Sequence, residues 1–229
     1  MQASIGRNAS GFPSAVVMRG AGAMRSAEAT ATSTHGIART LAKGEELFAE
    51  GDDADYFYRV VSGTIRTCKL LSDGRRQIDA FHLAGDIFGM ETGEEHRFSA
   101  EALGPTKVIA YRRCALETLA QSDPALGNQV VTSMMRSLER AQEHMLLLGR
   151  KTAQEKIATF LLDLARRMSK NDSFDLPMQR SDIADHLGLT IETVSRTLSD
   201  FARRHYIDLV ANSRSLTLCN RAALQHLNA

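Results

Sequence analysis

Cysteine is scarce and badly placed for the jobs cysteine does. The 229 residues hold three, Cys68, Cys114 and Cys219, far apart and odd in number. No C-x-x-C occurs, so neither a disulfide scaffold nor a zinc ribbon is encoded, and a reducing cytoplasm is the expected compartment. Cys114 and Cys219 read as small buried residues. No run of about 18 apolar residues exists, so no membrane span is expected. The N-terminus lacks a basic segment followed by an apolar core, so no secretory signal is expected. Net charge is only +1, and the chain from Arg150 onward is slightly basic, a weak pointer to phosphate. No nucleophile–base pair, metal cluster or phosphate loop stands out, which argues against an enzyme, including one with a nucleotide-binding regulatory region.

What is present begins with an arm, residues 1 to 36, rich in Ala, Ser, Thr and Gly and without a sustained period. From 37 to 118 short β-prone runs alternate with glycine turns. Strand candidates are Glu46–Phe48, Tyr56–Val61, Gly63–Cys68, Gln77–Phe81 and Val108–Tyr111. Turns every eight to twelve residues or so argue a β-sandwich or barrel, and Ser72-Asp73-Gly74 marks a hairpin.

Residues 119–150 carry a heptad seam that runs on to Thr152: Val131, Met134, Leu138, Ala141, Met145, Leu148 and Thr152 recur at alternating spacings of three and four. Charged flanks keep the apolar stripe narrow, which suits pairing with a second helix better than wrapping by a core. A homodimer interface is expected; a core helix lying on its own domain is the alternative. Asp123-Pro124 marks its start, and Gly149 to Ala153 breaks it.

Residues 151–229 open with an amphipathic helix through Ile157, Phe160, Leu161, Leu164, Ala165 and Met168. A polar loop, Ser169 to Pro177, follows. Arg180 to Arg204 then reads as two short helices. Ile183, Ala184 and Leu187 form the buried face of the first, and Gly188 supplies the sharp turn. Thr190 can cap the second, whose buried face is Val194, Leu198 and Phe201. Two short strands around Asn212-Ser213-Arg214 complete a winged helix. Ile191, Glu192, Ser195 and Arg196 face outward from the start of the second helix, and a guanidinium beside a carboxylate is chemistry that reads base edges. Arg180, Ser181, Thr190, Thr193, Arg203 and Arg214 are candidate phosphate contacts. An ordinary helical hairpin with a solvated charged face is the plain alternative.

The order of β-rich domain, heptad helix and winged helix resembles the CRP/FNR family of bacterial transcription regulators, over residues 37 to 229. Leu47 to Gly63 (L-F-A-E-G-D-D-A-D-Y-F-Y-R-V-V-S-G) and Ala84 to Gly89 (A-G-D-I-F-G) carry the likeness, with Arg59 an outlier in an apolar run. The resemblance implies an α+β fold: an N-terminal jelly roll like that of cyclic-nucleotide-binding domains, a long dimerisation helix and a C-terminal winged helix-turn-helix.

Departures narrow the function. Cyclic-AMP-binding members carry Gly-Glu and Arg-Ser-Ala, where this chain has Gly89-Met90 and Phe98-Ser99-Ala100. Arg97 and Glu91 lie near but out of register, and a one-residue slip turns a side chain to the other face. Residues 1 to 67 hold no cysteine for an iron–sulfur cluster. No cofactor is therefore expected, although the seven histidines leave a haem- or small-ligand-gated sensor as the alternative. Glu192-Thr193-Val194-Ser195-Arg196 is similar to the FNR readout helix. Together these features resemble the FixK-type subgroup, which implies activation of microaerobic, denitrification or nitrogen-fixation genes from a TTGA-type inverted repeat in double-stranded DNA. The resemblance also implies contact with RNA polymerase, with Lys170 to Asp175 and Ser72 to Arg76 as candidate loops. Some FixK-like proteins have an oxidisable cysteine in the vicinity of Ser181, and with serine there the resemblance implies no such redox switch in this chain.

Overall fold

The computed structural model describes residues 36–168, 172–209 and 214–227; the expected N-terminal arm lies outside them. Two four-stranded antiparallel sheets form the N-terminal jelly roll. One has the order β1 (Ile37–Leu41), β8 (Thr106–Arg112), β3 (Tyr56–Ser62), β6 (Ile87–Phe88). The other has the order β2 (Glu46–Phe48), β7 (Ser99–Ala102), β4 (Thr64–Leu70), β5 (Arg76–Leu83). Leu41, Phe48, Val60, Ile65, Ala100 and Val108 pack between the sheets. The expected hairpin joins β4 to β5: Gly74 takes φ 84°, and the Asp73 carboxylate accepts the Arg75 amide at 3.0 Å.

Strands β1, β6 and β7 were not expected from the sequence. Strand β7 is Ser-Ala-Glu-Ala, residues with little intrinsic preference for the extended state, and only its neighbours β2 and β4 hold it there. On β3, Phe57 and Tyr58 are both buried although they point to opposite faces. Tyr58 belongs to the inter-sheet core, whereas Phe57 packs with Leu126 and Val130 of a long helix lying on the outer face.

Two short elements precede that helix, a 3-10 turn at Arg113–Ala115 and α1 (Leu116–Ser122). The long helix is α2 (Pro124–Arg150), with the Asp123 side chain accepting the Leu126 amide and Pro124 in the first turn. Thr152 does not extend the seam. It starts α3 (Ala153–Met168), accepting the Glu155 amide while its own amide reaches the Glu155 carboxylate at 2.6 Å. This reciprocal capping needs a break in the helix ahead of it.

The C-terminal part is the expected winged helix, with a correction to its wing. Ser169 to Pro177 is not simply a polar loop: Ser173–Asp175 forms β9, which pairs with β11 (Ser215–Leu218). With β10 (Ile207–Leu209) the sheet has three strands, in the order β10-β11-β9. The turn at Asn212-Ser213 lies outside the described residues. Helices α4 (Arg180–Leu187), α5 (Ile191–Arg203) and α6 (Arg221–Leu227) complete it. Cys68 is buried, but Cys114 and Cys219 are exposed, contrary to expectation: one lies in the turn before α1 and the other just past β11, where no element among the described residues covers them.

Candidate nucleic-acid interface

Helices α4 and α5 pack through Ile183, Ala184, Leu187, Val194, Leu198 and Phe201, all fully or nearly fully buried. Gly188 ends α4 in the left-handed conformation, φ 62° and ψ 42°, where a Cβ is unfavourable. The Thr190 hydroxyl caps α5 by accepting the Thr193 amide at 3.2 Å, and the two threonine hydroxyls meet at 3.0 Å. One apolar side of α5 is thereby committed to α4, and the opposite side is presented outward.

That outward side carries the four expected readout residues. Ile191 is 48% exposed, Glu192 and Arg196 are exposed, and Ser195 is half-buried. The Glu192 carboxyl is held below its ordinary pKa by its own backbone amide first and by the Thr190 hydroxyl next, with Arg196 adding a smaller attraction. It is thus an ionised acceptor beside a guanidinium donor.

The candidate phosphate contacts are arranged less uniformly. Arg180, at the start of α4, donates to the Ser195 hydroxyl at 3.3 Å, linking the two helices across the outward face. Thr190 and Thr193 surround the N-terminus of α5. Arg214 is exposed beside the wing and donates to the Pro177 carbonyl at 3.4 Å. Ser181 is half-buried and lines a cleft with Lys43 of the β1–β2 connection and Arg214. Arg203 sits apart at the far end of α5, where it and Arg204 both pair with Asp200.

The seam residues of α2 form one exposed stripe. Val131, Met134, Leu138, Met145 and Leu148 are exposed large apolar side chains, with Ala141 exposed among them. The opposite stripe, Leu126, Val130 and Leu147, is buried against the protein's own body. The helix therefore carries two apolar faces and has used only one.

Of the polymerase candidates, Lys170 and Asn171 lie outside the described residues, and Asp172 pairs with Arg221 at 2.7 Å. In the hairpin, Arg75 pairs with Asp73, but Arg76 turns away from the tip toward α4. There it meets three residues that sequence reasoning passed over, Arg66, Asp182 and Asp185. Arg66 and Arg76 reach Asp182 at 2.5 and 2.8 Å, and Arg76 also reaches Asp185 at 2.7 Å. Two carboxylates three residues apart on α4 were the available signal; their partners lie more than a hundred positions upstream.

The model of a cyclic nucleotide-binding domain matches residues 38–123, and that of a Crp-like helix-turn-helix domain matches residues 155–227. The chain is 47% identical over 217 residues to the nitrogen fixation regulation protein FixK of Azorhizobium caulinodans, spanning 92% of this chain and 87% of the relative. A protein of the same description from Rhizobium meliloti is 40% identical over 191 residues, spanning 83% and 87% of the two chains. The solved structure of FixK2 from Bradyrhizobium japonicum superposes with a TM-score of 0.78 at 45% identity, covering 85% of this chain and 98% of that one. The chain belongs to the CRP/FNR family.

It is thus a transcription regulator of CRP/FNR type, with the DNA-binding helix-turn-helix of that family. No helix among the described residues is long and apolar enough to cross a membrane. Where cyclic-AMP-binding CRP/FNR members have their pocket, Met90 packs against a core cluster. Glu91 and Arg97, the out-of-register pair, bond to each other at 3.0 Å. Between them in sequence, His96 is buried and stacks on Phe48 with ring centroids 3.6 Å apart. Among the described residues its ring nitrogens have no hydrogen-bond partner, the Glu91 carboxylate standing off at 3.9 Å, and burial lowers its pKa.

Proposed function

We propose that this chain is a FixK-type regulator: a homodimer that binds a TTGA-type inverted repeat and activates nitrogen-fixation, denitrification or other low-oxygen genes, with neither cyclic nucleotide nor iron–sulfur cluster. The observation that carries the reading is the outward face of α5, where Ile191, Glu192, Ser195 and Arg196 stand together at the helix start. Arg196 donates a fork to guanine and Glu192 accepts from the paired cytosine, while Ile191 and Ser195 meet thymines. Arg180, Ser181, Thr190, Thr193 and Arg214 hold phosphates, and Arg203 does so once it leaves Asp200. The seam Val131, Met134, Leu138, Ala141, Met145 and Leu148 joins two copies, so that two α5 helices enter successive major grooves roughly 34 Å apart. The organisation that follows is an arm (1–36), a jelly roll (37–118), a dimerisation helix (119–150) and a winged-helix domain (151–229). The RNA polymerase surface includes the tip of the β4–β5 hairpin. The FixK relatives support the gene class, and the mutual pairing of Glu91 and Arg97 supports independence from cyclic nucleotide.

Selection of sites from random duplexes by the purified protein tests this directly. Enrichment of an inverted repeat of TTGA half-sites without added ligand is the expected result. Enrichment of a different half-site, or a requirement for cyclic AMP, refutes the reading.

One observation favours the ligand-gated alternative. A cavity of about 210 Å3 lies between β5, α2, α3 and α4, lined among others by His82, Arg140, His144, Phe160 and Arg167. Soret absorbance of the purified protein, or loss of DNA binding after its small molecules are stripped, would select that alternative.

A further inference from the structure

Helix α4 is fastened to the jelly roll along the length of β5. At its N-terminal end, one Asp182 oxygen takes both Arg66 and Arg76, while the other accepts the Gln179 amide at 3.0 Å that starts the helix. Arg66 is oriented in turn by Glu101, at 2.6 Å, and Arg76 also holds Asp185 through two of its nitrogens. At the C-terminal end of α4, His186 Nδ1 meets the Ile78 carbonyl at 3.1 Å. Beyond it, Arg167 at the end of α3 donates to Asp86 and to the Phe81 carbonyl at 2.6 and 2.8 Å. Helix α2 adds contacts of its own: His144 stacks on His186, and Leu148 comes within 3.4 Å of where a Cβ on Gly188 would stand.

The Arg66–Asp182 pair differs from a surface salt bridge, while the Arg76 and Asp185 side chains are more open, 28% and 31% exposed. The Asp182 side chain is 4% exposed and the Arg66 side chain 12%. Pairs so far out of water add little net stability, because desolvation offsets their attraction, but they make any other arrangement expensive by stranding a charge. Their effect is on geometry. Because α5 packs rigidly on α4, the direction in which Arg196 and Glu192 point follows α4, and α4 follows these pairs.

We propose that Arg66 and Arg76, through Asp182 and Asp185, are positioning residues for DNA recognition: they lock the reading head onto the jelly roll in the one orientation that an inverted repeat can accept, with no effector needed to set it. The inference rests on the proposed reading of inverted repeats and deepens it by naming what takes the place of a ligand. It also accounts for two arginines that face α4 rather than solvent.

The test uses the full chain and three duplexes: the inverted repeat, a single half-site, and the repeat with its spacer lengthened by one or two base pairs. Arg76→Glu and Asp185→Arg each place like charges together, and the double variant restores an opposite pair. For each single variant, affinity for the repeat should fall by about ten-fold or more. Half-site affinity should hold, and the penalty for the longer spacers should shrink. The double variant restores the pair between positions 76 and 185 but leaves the new carboxylate at position 76 beside Asp182, so it should recover repeat affinity and spacer discrimination in part. If Arg76→Glu does not fold by circular dichroism, Arg76→Gln is read on the same duplexes. Single variants that keep wild-type affinity and spacer discrimination overturn the proposal. So does a folded double variant no better than the worse single, or a loss equal on half-site and repeat. Wild-type protein that prefers neither repeat nor half-site over random duplex sinks the DNA reading itself, a result distinct from all of these.

Discussion

The imidazole rings of His144 and His186 stack with centroids 4.2 Å apart and planes 14° from parallel. One ring comes from the long helix α2 and the other from α4, so the helix expected to pair two copies touches the helix that carries the DNA-reading turn. Two protonated rings would repel each other at this separation. Burial first, and then His144, pushes the His186 pKa down to about 3 from 6.5. Burial also lowers His144, with Lys156 adding to it.

This depression has a pH consequence. Between pH 6.5 and about 3 the unfolded chain binds a proton at residue 186 that the folded chain does not. Stability is therefore fully present above 6.5 and falls as pH drops through that window. His82, also pushed to about 3 by burial, acts in the same direction. Melting temperature measured from pH 7.5 to 4.5 should fall on the acid side, and His186→Gln should flatten that slope. An equal slope in the variant would assign the acid loss to other groups.

On the proposed readout, replacing Arg196 by Ala should cost about 1–3 kcal/mol at the guanine of the half-site and relax preference there. Glu192→Ala should relax preference at the paired cytosine. Competition binding with singly substituted half-sites measures both, and retention of full guanine preference in the Arg196 variant would remove that residue from the readout.

The two faces of α2 should separate assembly from folding. Leu138 is 62% exposed in the single chain and Leu147 is 5% exposed. Leu138→Glu should yield a folded monomer by sedimentation, with weakened binding to an inverted repeat. Leu147→Ala should leave the dimer intact at low temperature yet lower stability by about 2–5 kcal/mol, as large-to-small changes in cores do. Equal effects on mass from both variants would contradict the division.

Gly188 combines a left-handed backbone, φ 62°, with Leu148 at 3.4 Å from the position of an added Cβ. Gly188→Ala should cost roughly 1–2 kcal/mol from the backbone alone. Gly188→Val should cost more, since its methyls press on Leu148. Thermal melts of the two variants and the wild type check the order, and a neutral Gly188→Val would refute it.

The elements legible in the sequence are those whose signal is local. Helix α5 announces itself through Thr190 as a cap and a buried face at regular spacing. Helix α2 does so through Asp123-Pro124 and its seam, and the β4–β5 hairpin through Ser-Asp-Gly. The shared outward face of the proposed readout residues follows from α5 alone, because a helix fixes which side chains share a face. Strand β7, made of Ser-Ala-Glu-Ala, carries no such signal, and β9 was hidden in a polar stretch whose pairing partner lies about forty residues on. The exposure of Cys114 and Cys219 depends on what covers the chain ends of elements, which no local pattern records.

By itself the sequence determined the helices, the stronger strands, their order and the shared outward face of Ile191, Glu192, Ser195 and Arg196, because each depends on contacts within a few residues. Only the tertiary structure decided how that face is held. The pairing of Arg66 and Arg76 with Asp182 and Asp185, and the stacking of His144 on His186, join segments that nothing but the folded core brings together. Charges and rings at such separations have no periodicity to betray them; their partners are chosen by how the jelly roll, α2 and α4 pack.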